Sequence, residues 1–297
     1  EVETLPGNWR RAIDIELLEE HLKKDTKKEI KGILIIHTET ATGITNDLPA
    51  IRSAIDSADH PSLLIVDTVA AAGTVDYRMD EWGIDVTVGA SQKGLMMPPG
   101  IGIVAAGEKA LSATKESVMP RLYWDWKTRL EAEHYRKFCG TAPQLMVFGM
   151  REALNMLFEE GLENVFERHR VLAAATHAAV EVWGQAGTLS LNAVEPKERS
   201  NGVTTILTSD GIDAGQFRDI CRDEMMVGLG GGLGDLSGKA FRIGHMGDIN
   251  APMLYAALSA VESTLGYLNI KYASGGVTAA IEYITNVKKN GTGPFSF

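Results

Sequence analysis

Two side chains within one stretch of the chain are of the right kind and separation to do chemistry together. The stretch runs from Leu63 to Gly100 and reads LLIVDTVAAAGTVDYRMDEWGIDVTVGASQKGLMMPPG. An apolar run, Leu63–Val66, ends in Asp67. A second and weaker run, Ile84 to Val88, leads into Ser91, Gln92 and Lys93, followed by a Gly/Pro-rich turn. One carboxylate and one amine are thereby delivered to the ends of two neighbouring strands. A pyridoxal phosphate (PLP) site needs that pair: an Asp for the pyridine nitrogen and a Lys for the Schiff base.

Each residue also has a plainer reading. A Schiff-base lysine must be neutral to attack an aldehyde, and burial or nearby positive charge lowers an amine's pKa. Lys93 is followed by Gly94, Leu95, Met96 and Met97, with no lysine adjacent. Alone it would be an ordinary loop lysine; its pairing with Asp67 carries the reading. Asp67 closes an apolar run, where a buried carboxylate needs a partner. A protonated pyridine nitrogen is one such partner, and a helix cap or strand-end contact is the alternative. Val69 suits the underside of the ring or simple core. Gln92 suits the ring hydroxyl oxygen and Ser91 a phosphate oxygen, though each is equally a turn residue. Arg242 lies between Phe241 and Ile243 in an apolar strand, AFRIG. Its planar fork suits a substrate carboxylate, with a structural salt bridge as the alternative. His37 and Glu39 have no third ligand at metal spacing, so no metal is expected. His245 and Met246 read as packing residues. The run Gly228–Gly234 (GLGGGLG) reads as a flexible loop. It lacks the preceding strand and following helix of a dinucleotide fingerprint, which excludes NAD.

The elements that must position these groups follow an α/β rhythm. Lys31–His37 (KGILIIH) is a continuous apolar run that suits a parallel strand buried on both faces. A polar loop, residues 38–46, leads to a helix over Leu48–Ser57, capped by Asn46 or Asp47. Strands follow at Leu63–Val66, Ile84–Val88 and Ile101–Ala106, which predicts a mainly parallel sheet. Ligands in such sheets sit beyond the carboxyl ends of the strands, where His37, Glu39, Asp67 and Lys93 all fall. The segment Met119–Phe138 is rich in aromatics and charges, including Tyr123, Trp124, Trp126 and Tyr135. Gln144–Glu160 and Leu162–Trp183 read as long helices broken at Gly161. The remainder reads as α+β, with strands near residues 201–209 and at Ala240–Gly244 and helices over Ala214–Asp223 and Asn250–Leu265. A large domain over residues 1–160 and a smaller one over 161–297 are expected. The amino terminus reads as the end of a strand, a loop, and a helix carrying Ile13, Ile15, Leu17, Leu18 and Leu22, as though the chain begins inside a domain.

Composition narrows the classes. The 297 residues are 44% hydrophobic and 23% charged, ordinary for a globular enzyme. A net charge of −10 argues against nucleic acid, whose phosphates call for an excess of Lys and Arg. No apolar run has the length to span a bilayer and no secretory signal is visible. Cys139 and Cys221 are far apart, and two reduced, partly buried thiols in a cytoplasmic protein are expected.

The motifs HTETATG (His37–Gly43), VDTVAAAG (Val66–Gly73), GASQKGLMMPPG (Gly89–Gly100), GTAP (Gly140–Pro143) and FRIGHMGD (Phe241–Asp248) together resemble the class V aminotransferases of fold type I. Within these, the resemblance is to the serine–, alanine– and aspartate–glyoxylate branch, and SQKGL followed by PPG is its most specific part. It implies PLP as cofactor, Lys93 as the Schiff-base lysine and Asp67 as the pyridine-nitrogen partner. It also implies Gln92 and Thr40 on the ring hydroxyl side, Thr141 reaching the phosphate of a neighbouring subunit in a homodimer or dimer of dimers, and Arg242 on the substrate α-carboxylate. Phe138 stands where relatives often carry a tyrosine, which removes one phosphate hydrogen bond. Cysteine desulfurases and related lyases share the fold but usually carry His before the lysine, where this chain has Gln92. The implied activity is transfer of an amino group from serine, alanine or aspartate to glyoxylate. A β-elimination lyase, a desulfurase-like enzyme and an inactive truncated fragment are the alternatives. An aspartate donor asks for a second cation, with Arg136 and Lys137 as the candidates. The resemblance further implies a preceding segment with a Gly-rich phosphate loop and a ring-stacking aromatic, so a piece of a longer protein is expected.

Overall fold

A computed structural model of the chain describes residues 1–131, 133 and 137–291. Tyr135 and Arg136 lie outside those residues. In chain order the first part comprises α1 (Ile15–Lys24), β1 (Gly32–Ile36), β2 (Thr38–Glu39), β3 (Ile44–Thr45), α2 (Leu48–Ser57), β4 (Leu63–Asp67), β5 (Val86–Ala90), β6 (Gly102–Ala106), α3 (Glu108–Ala113) and α4 (Trp126–Arg129). The second part comprises α5 (Gln144–Glu160), α6 (Leu162–Trp183), β7 (Leu189–Leu191), β8 (Val203–Thr208), α7 (Ala214–Asp223), β9 (Gly230–Gly231), β10 (Ala240–Gly244), α8 (Ala251–Tyr267) and α9 (Gly276–Lys289).

The first sheet has the order β1-β4-β5-β6. β1, β4 and β5 run parallel, and β6 returns antiparallel after the Pro98-Pro99-Gly100 turn. Alternation along the strands sends Ile33, Ile35, Leu64 and Val66 to one face, where they bury against Leu18 and Leu22 of α1 and Leu48, Ile51 and Ile55 of α2. Full burial of each such side chain contributes roughly 1.5–3 kcal/mol of transfer free energy. Asp14 and Asp47 start the two helices by accepting from Leu17 N and Ala50 N. The opposite face carries Asp67 in line with Ile36 and Val88.

The second sheet, β7-β8-β10-β9, is antiparallel. Its core packs α6 to α9 around Phe217 and Phe241, whose rings stack at 4.6 Å, and around Trp183. Trp183 donates to Glu262 at 2.9 Å, and Glu262 in turn accepts from Gly275 N and Val277 N at the start of α9. Gly276 is obligatory there, because a β-carbon would lie 2.2 Å from the indole nitrogen.

Three expectations are corrected. The amino terminus contains no strand; residues 8–13 are instead held by Val194 N donating to Arg10 O, by Arg10 on the carbonyls of Leu191 and Asn192, and by Arg11 on Glu198. The glycine run is not a loose loop: Gly230 and Gly231 form β9 against Arg242 and Phe241. Cys221 is buried but Cys139 is exposed, and both thiols are free.

Candidate active site

β4 and β5 converge on Asp67. Its carbonyl accepts from His37 N at 2.8 Å, and its Oδ1 accepts from Val69 N at 2.8 Å. Thr68 then donates both N–H and Oγ–H to the Val88 carbonyl, at 2.7 and 3.0 Å, which pins the following loop to β5. No hydrogen bond from a described residue reaches Asp67 Oδ2. One carboxylate oxygen is therefore spent on orientation and the other is presented beyond the strand end.

The lysine turn is braced by Ser91. Its buried hydroxyl donates to Pro98 O at 2.8 Å and accepts from Ile101 N at 3.2 Å. The phosphate reading of Ser91 therefore gives way to a structural one, because both hydroxyl functions close the turn. Met97 N donates to Ser91 O and Met96 N to Lys93 O, with Met96 in the left-handed region at φ 61°. Gln92 is exposed and Lys93 half-buried, and the side chains of both lack a hydrogen-bond or ion-pair partner among the described residues.

The two loops meet at Gly73 and Gly94. A β-carbon on Gly94 would sit 2.3 Å from Ala72 O and 2.9 Å from Thr74 Cγ2, and one on Gly73 would sit 2.8 Å from Gly94 O. The close approach of the Lys93 turn to the loop that follows Asp67 exists only because both positions lack side chains. Gly94→Ala must force the loops apart. It is expected to cost about 1–3 kcal/mol of stability and, by displacing Lys93, about 100-fold in turnover. Thermal melts and initial rates check this; an unchanged rate would mean that the loops adjust independently.

Arg242 projects from β10 beside Gly230, whose missing side chain leaves it room: a β-carbon there would lie 3.2 Å from Arg242 Cβ. Its Nε donates to Gly231 O at 2.7 Å and its Nη1 to Thr40 O at 3.0 Å. Burial, aided by nearby Arg218 and opposed by Glu39, draws its pKa below the ordinary value, from a start so high that the guanidinium stays charged. Nη2 takes part in neither bond.

Thr40 belongs to the β2–β3 hairpin, which lies between the sheets. Thr205 Oγ1 donates to Ala41 O at 3.0 Å, Asn192 Nδ2 to Thr42 O at 2.9 Å and Ser200 N to Gly43 O at 2.9 Å. Glu39 Oε1 accepts from Ala41 N at 2.8 Å, and His37 is buried beside Tyr77 and Trp82. Both serve the hairpin and its support.

The structure thus packs the loop that carries Asp67 and Val69 against the turn that carries Gln92 and Lys93, and joins the Thr40 carbonyl to Arg242 through one hydrogen bond. Thr141 is exposed ahead of α5, and no hydrogen bond joins it to the others; Lys137 is exposed as well. Sequence reasoning missed Arg168 and His169, buried side by side in α6, whose only signal was a basic pair in an Ala-rich helix. A carboxylate with one free oxygen, an unpartnered amine and a part-spent guanidinium suit a cationic ring, a carbonyl carbon and a carboxylate respectively.

This chain belongs to the class V aminotransferases: the family's Aminotransferase class-V model matches residues 1–233. It is an enzyme of a PLP-dependent family. Among curated proteins it is 40% identical over 282 residues to the serine–glyoxylate aminotransferase of Methylorubrum extorquens, covering 93% of this chain and 69% of that one. It is 37% identical to the L-aspartate–glyoxylate aminotransferase of Paracoccus denitrificans, over 93% of this chain and 69% of that one. The solved ureidoglycine–glyoxylate aminotransferase of Bacillus subtilis superposes with a TM-score of 0.83 at 29% identity, covering 95% of this chain and 71% of that one. That likeness gives the fold as type I aminotransferase, α/β with a mainly parallel sheet. No helix among the described residues is long and apolar enough to cross a membrane.

Proposed function

We propose that this enzyme moves the amino group of a small L-amino acid (serine, aspartate or alanine) to glyoxylate, giving glycine and a 2-oxo acid. The observation that carries the reading is the glycine-to-glycine contact that seats the turn of the unpartnered Lys93 against the loop that follows Asp67. The glyoxylate acceptor rests on the likeness to glyoxylate aminotransferases.

The residues fit PLP on the structure's own terms, since Asp67 Oδ2 and Lys93 Nζ lack hydrogen-bond partners among the described residues. Lys93 would hold the cofactor covalently, Asp67 would hold its ring nitrogen protonated, and Val69 would pack beneath the ring. Thr40 and Gln92 would face its hydroxyl side, and the exposed Thr141 would serve the phosphate of a neighbouring subunit in a homodimer. When bound, PLP supplies the electron sink for negative charge at the substrate Cα. Lys93 Nζ, released from its covalent bond when the donor amine takes its place, would take the proton from that Cα and deliver it to the cofactor carbon that holds the amino group. Arg242 orients the α-carboxylate, and the loops that carry these groups keep the substrate Cα facing Lys93. Residues 1–160 and 161–297 are read as the two domains between which this happens.

Initial rates with serine, alanine and aspartate, each against glyoxylate with glycine as the measured product, test the proposal. Pyruvate or ammonia formed without an oxo acid would replace it with β-elimination. Arg242→Lys loses the planar fork and the bond to Thr40, and should raise KM for every donor by about 10- to 100-fold, the worth of one charged hydrogen bond. A KM equal to wild type would remove Arg242 from the carboxylate site.

A further inference from the structure

The catalytic loops are also held from a distance. Gly247 follows β10 with φ 91°. A β-carbon there would lie 3.6 Å from Met96 Cγ and 4.0 Å from Lys93 O, so its backbone rests on the turn that carries Lys93. Its neighbour Met246 brings Cε to within 3.1 Å of a β-carbon built on Gly202, and the same point lies 3.4 Å from Ala70 O in the Asp67 loop. The segment leaving β10 therefore rests on the Lys93 turn, and Met246 packs on Gly202, which itself adjoins the loop that follows Asp67.

Two successive side chains of α6 grip that segment. Gly247 N donates to His169 Nε2 at 3.0 Å, and His169 Nδ1 is 2.7 Å from Val165 O. The first bond needs an unprotonated Nε2 and the second a protonated Nδ1, which fixes one neutral tautomer. Arg168 Nη1 donates to Gly247 O at 2.8 Å and to Ile249 O at 3.2 Å. Its Nε and Nη2 are taken by the two oxygens of Glu160, at 2.7 and 2.8 Å. Both polar atoms of the Gly247 backbone are thus held by two buried side chains of α6.

We infer that Arg168 and His169 are positioning residues, which set the depth of the Lys93 turn against Asp67 by clamping Gly247 behind it. Loss of the clamp frees Gly247 to recoil, and the turn, closed by the Met96 and Met97 amides and braced by the Ser91 hydroxyl, gains room to open on its Gly247 side. The kinetic part of this inference rests on Lys93 acting as proposed above; the structural part does not.

The test follows amide exchange at Met96 and Met97 in the full chain without cofactor, and kcat and KM with PLP bound. His169→Phe keeps an aromatic ring and removes both hydrogen bonds. Exchange at the two amides should rise about tenfold more than in Ile284→Val, a core control scaled to the same loss of Tm. Turnover should fall about 10- to 100-fold, the effect of a misplaced reacting group, with the donor KM little changed. His169→Gln, which can accept from Gly247 and donate to Val165, should recover most of both. Arg168→Lys gives the same pattern in milder form and serves if His169→Phe does not fold. Exchange at 96 and 97 that follows global stability alone would overturn the inference. A fall in kcat without the exchange change would also overturn it. Absence of aminotransferase activity in the wild type would instead strike the proposed function, leaving the exchange result to decide the clamp.

Discussion

Lys93→Ala should lose turnover by about 10⁴-fold or more, because one change removes both the covalent anchor and the proton carrier at the substrate Cα. The fold should barely register it. The Lys93 side chain is half-buried without a hydrogen bond or ion pair among the described residues, so its truncation costs about 0.5 kcal/mol, the usual scale for a surface change. A large kinetic loss beside an unchanged melting curve separates a chemical role from a structural one. Borohydride reduction in the presence of PLP gives a second readout. The pyridoxyl mass should appear on the peptide containing Lys93 in the wild type and be missing in the variant. A labelled variant, or a rate within about tenfold of wild type, would move the Schiff base to another lysine.

The second large effect is on stability below neutral pH. Burial holds His37, His169 and His245 near a pKa of about 4 and His177 near about 3, against an ordinary 6.5. Asp47 and Asp76 pull His37 upward, while His245 and Arg199 push His177 further down. The unfolded chain protonates these rings as pH falls through 6.5, and the native state refuses the protons until about 4, or about 3 for His177. Their contribution is therefore full above pH 6.5 and declines through the window from 6.5 to about 4, with that of His177 declining further to about 3. Each histidine accounts for about 1 kcal/mol per pH unit in that window. Together they consume much of a stability that is roughly 5–15 kcal/mol, so acid unfolding is expected near pH 5, roughly midway through the window. Denaturant melts between pH 4 and 8 measure the slope. His37→Phe, which replaces a ring whose Nδ1 has no partner, should flatten the slope by about one proton. An unaltered slope would show that His37 is protonated in the native state.

Much of this was legible in the chain because the strongest signals were local. The apolar runs ending in Asp67 and preceding Lys93 are parallel neighbours, and the helix boundaries at Leu48–Ser57, Gln144–Glu160, Leu162–Trp183 and Ala214–Asp223 agree with the structure. What was illegible depends on distant partners. The glycine run looks mobile in isolation, yet it is a strand because β10 supplies its ladder and Arg242 occupies the space side chains would have filled. Ser91 offers a hydroxyl to any reader of the sequence, and only the fold shows it spent on Pro98 and Ile101. Arg168 and His169 find their partner at Gly247, across 79 and 78 positions, which no local pattern announces.

The hairpin between the sheets has a consequence for substrate choice. One sheet carries Asp67 and leads into Lys93, and the other carries Arg242, with the Thr40 carbonyl bonded to Arg242 and the neighbouring hairpin carbonyls accepting from Thr205, Asn192 and Ser200. On the function proposed above, the distance between the two ends of a bound substrate is set by this hairpin together with the Arg242 side chain that it holds. The proposed site would then act as a fixed gauge, expected to take molecules whose amine and carboxylate share one carbon and to turn away β- and γ-amino acids on length.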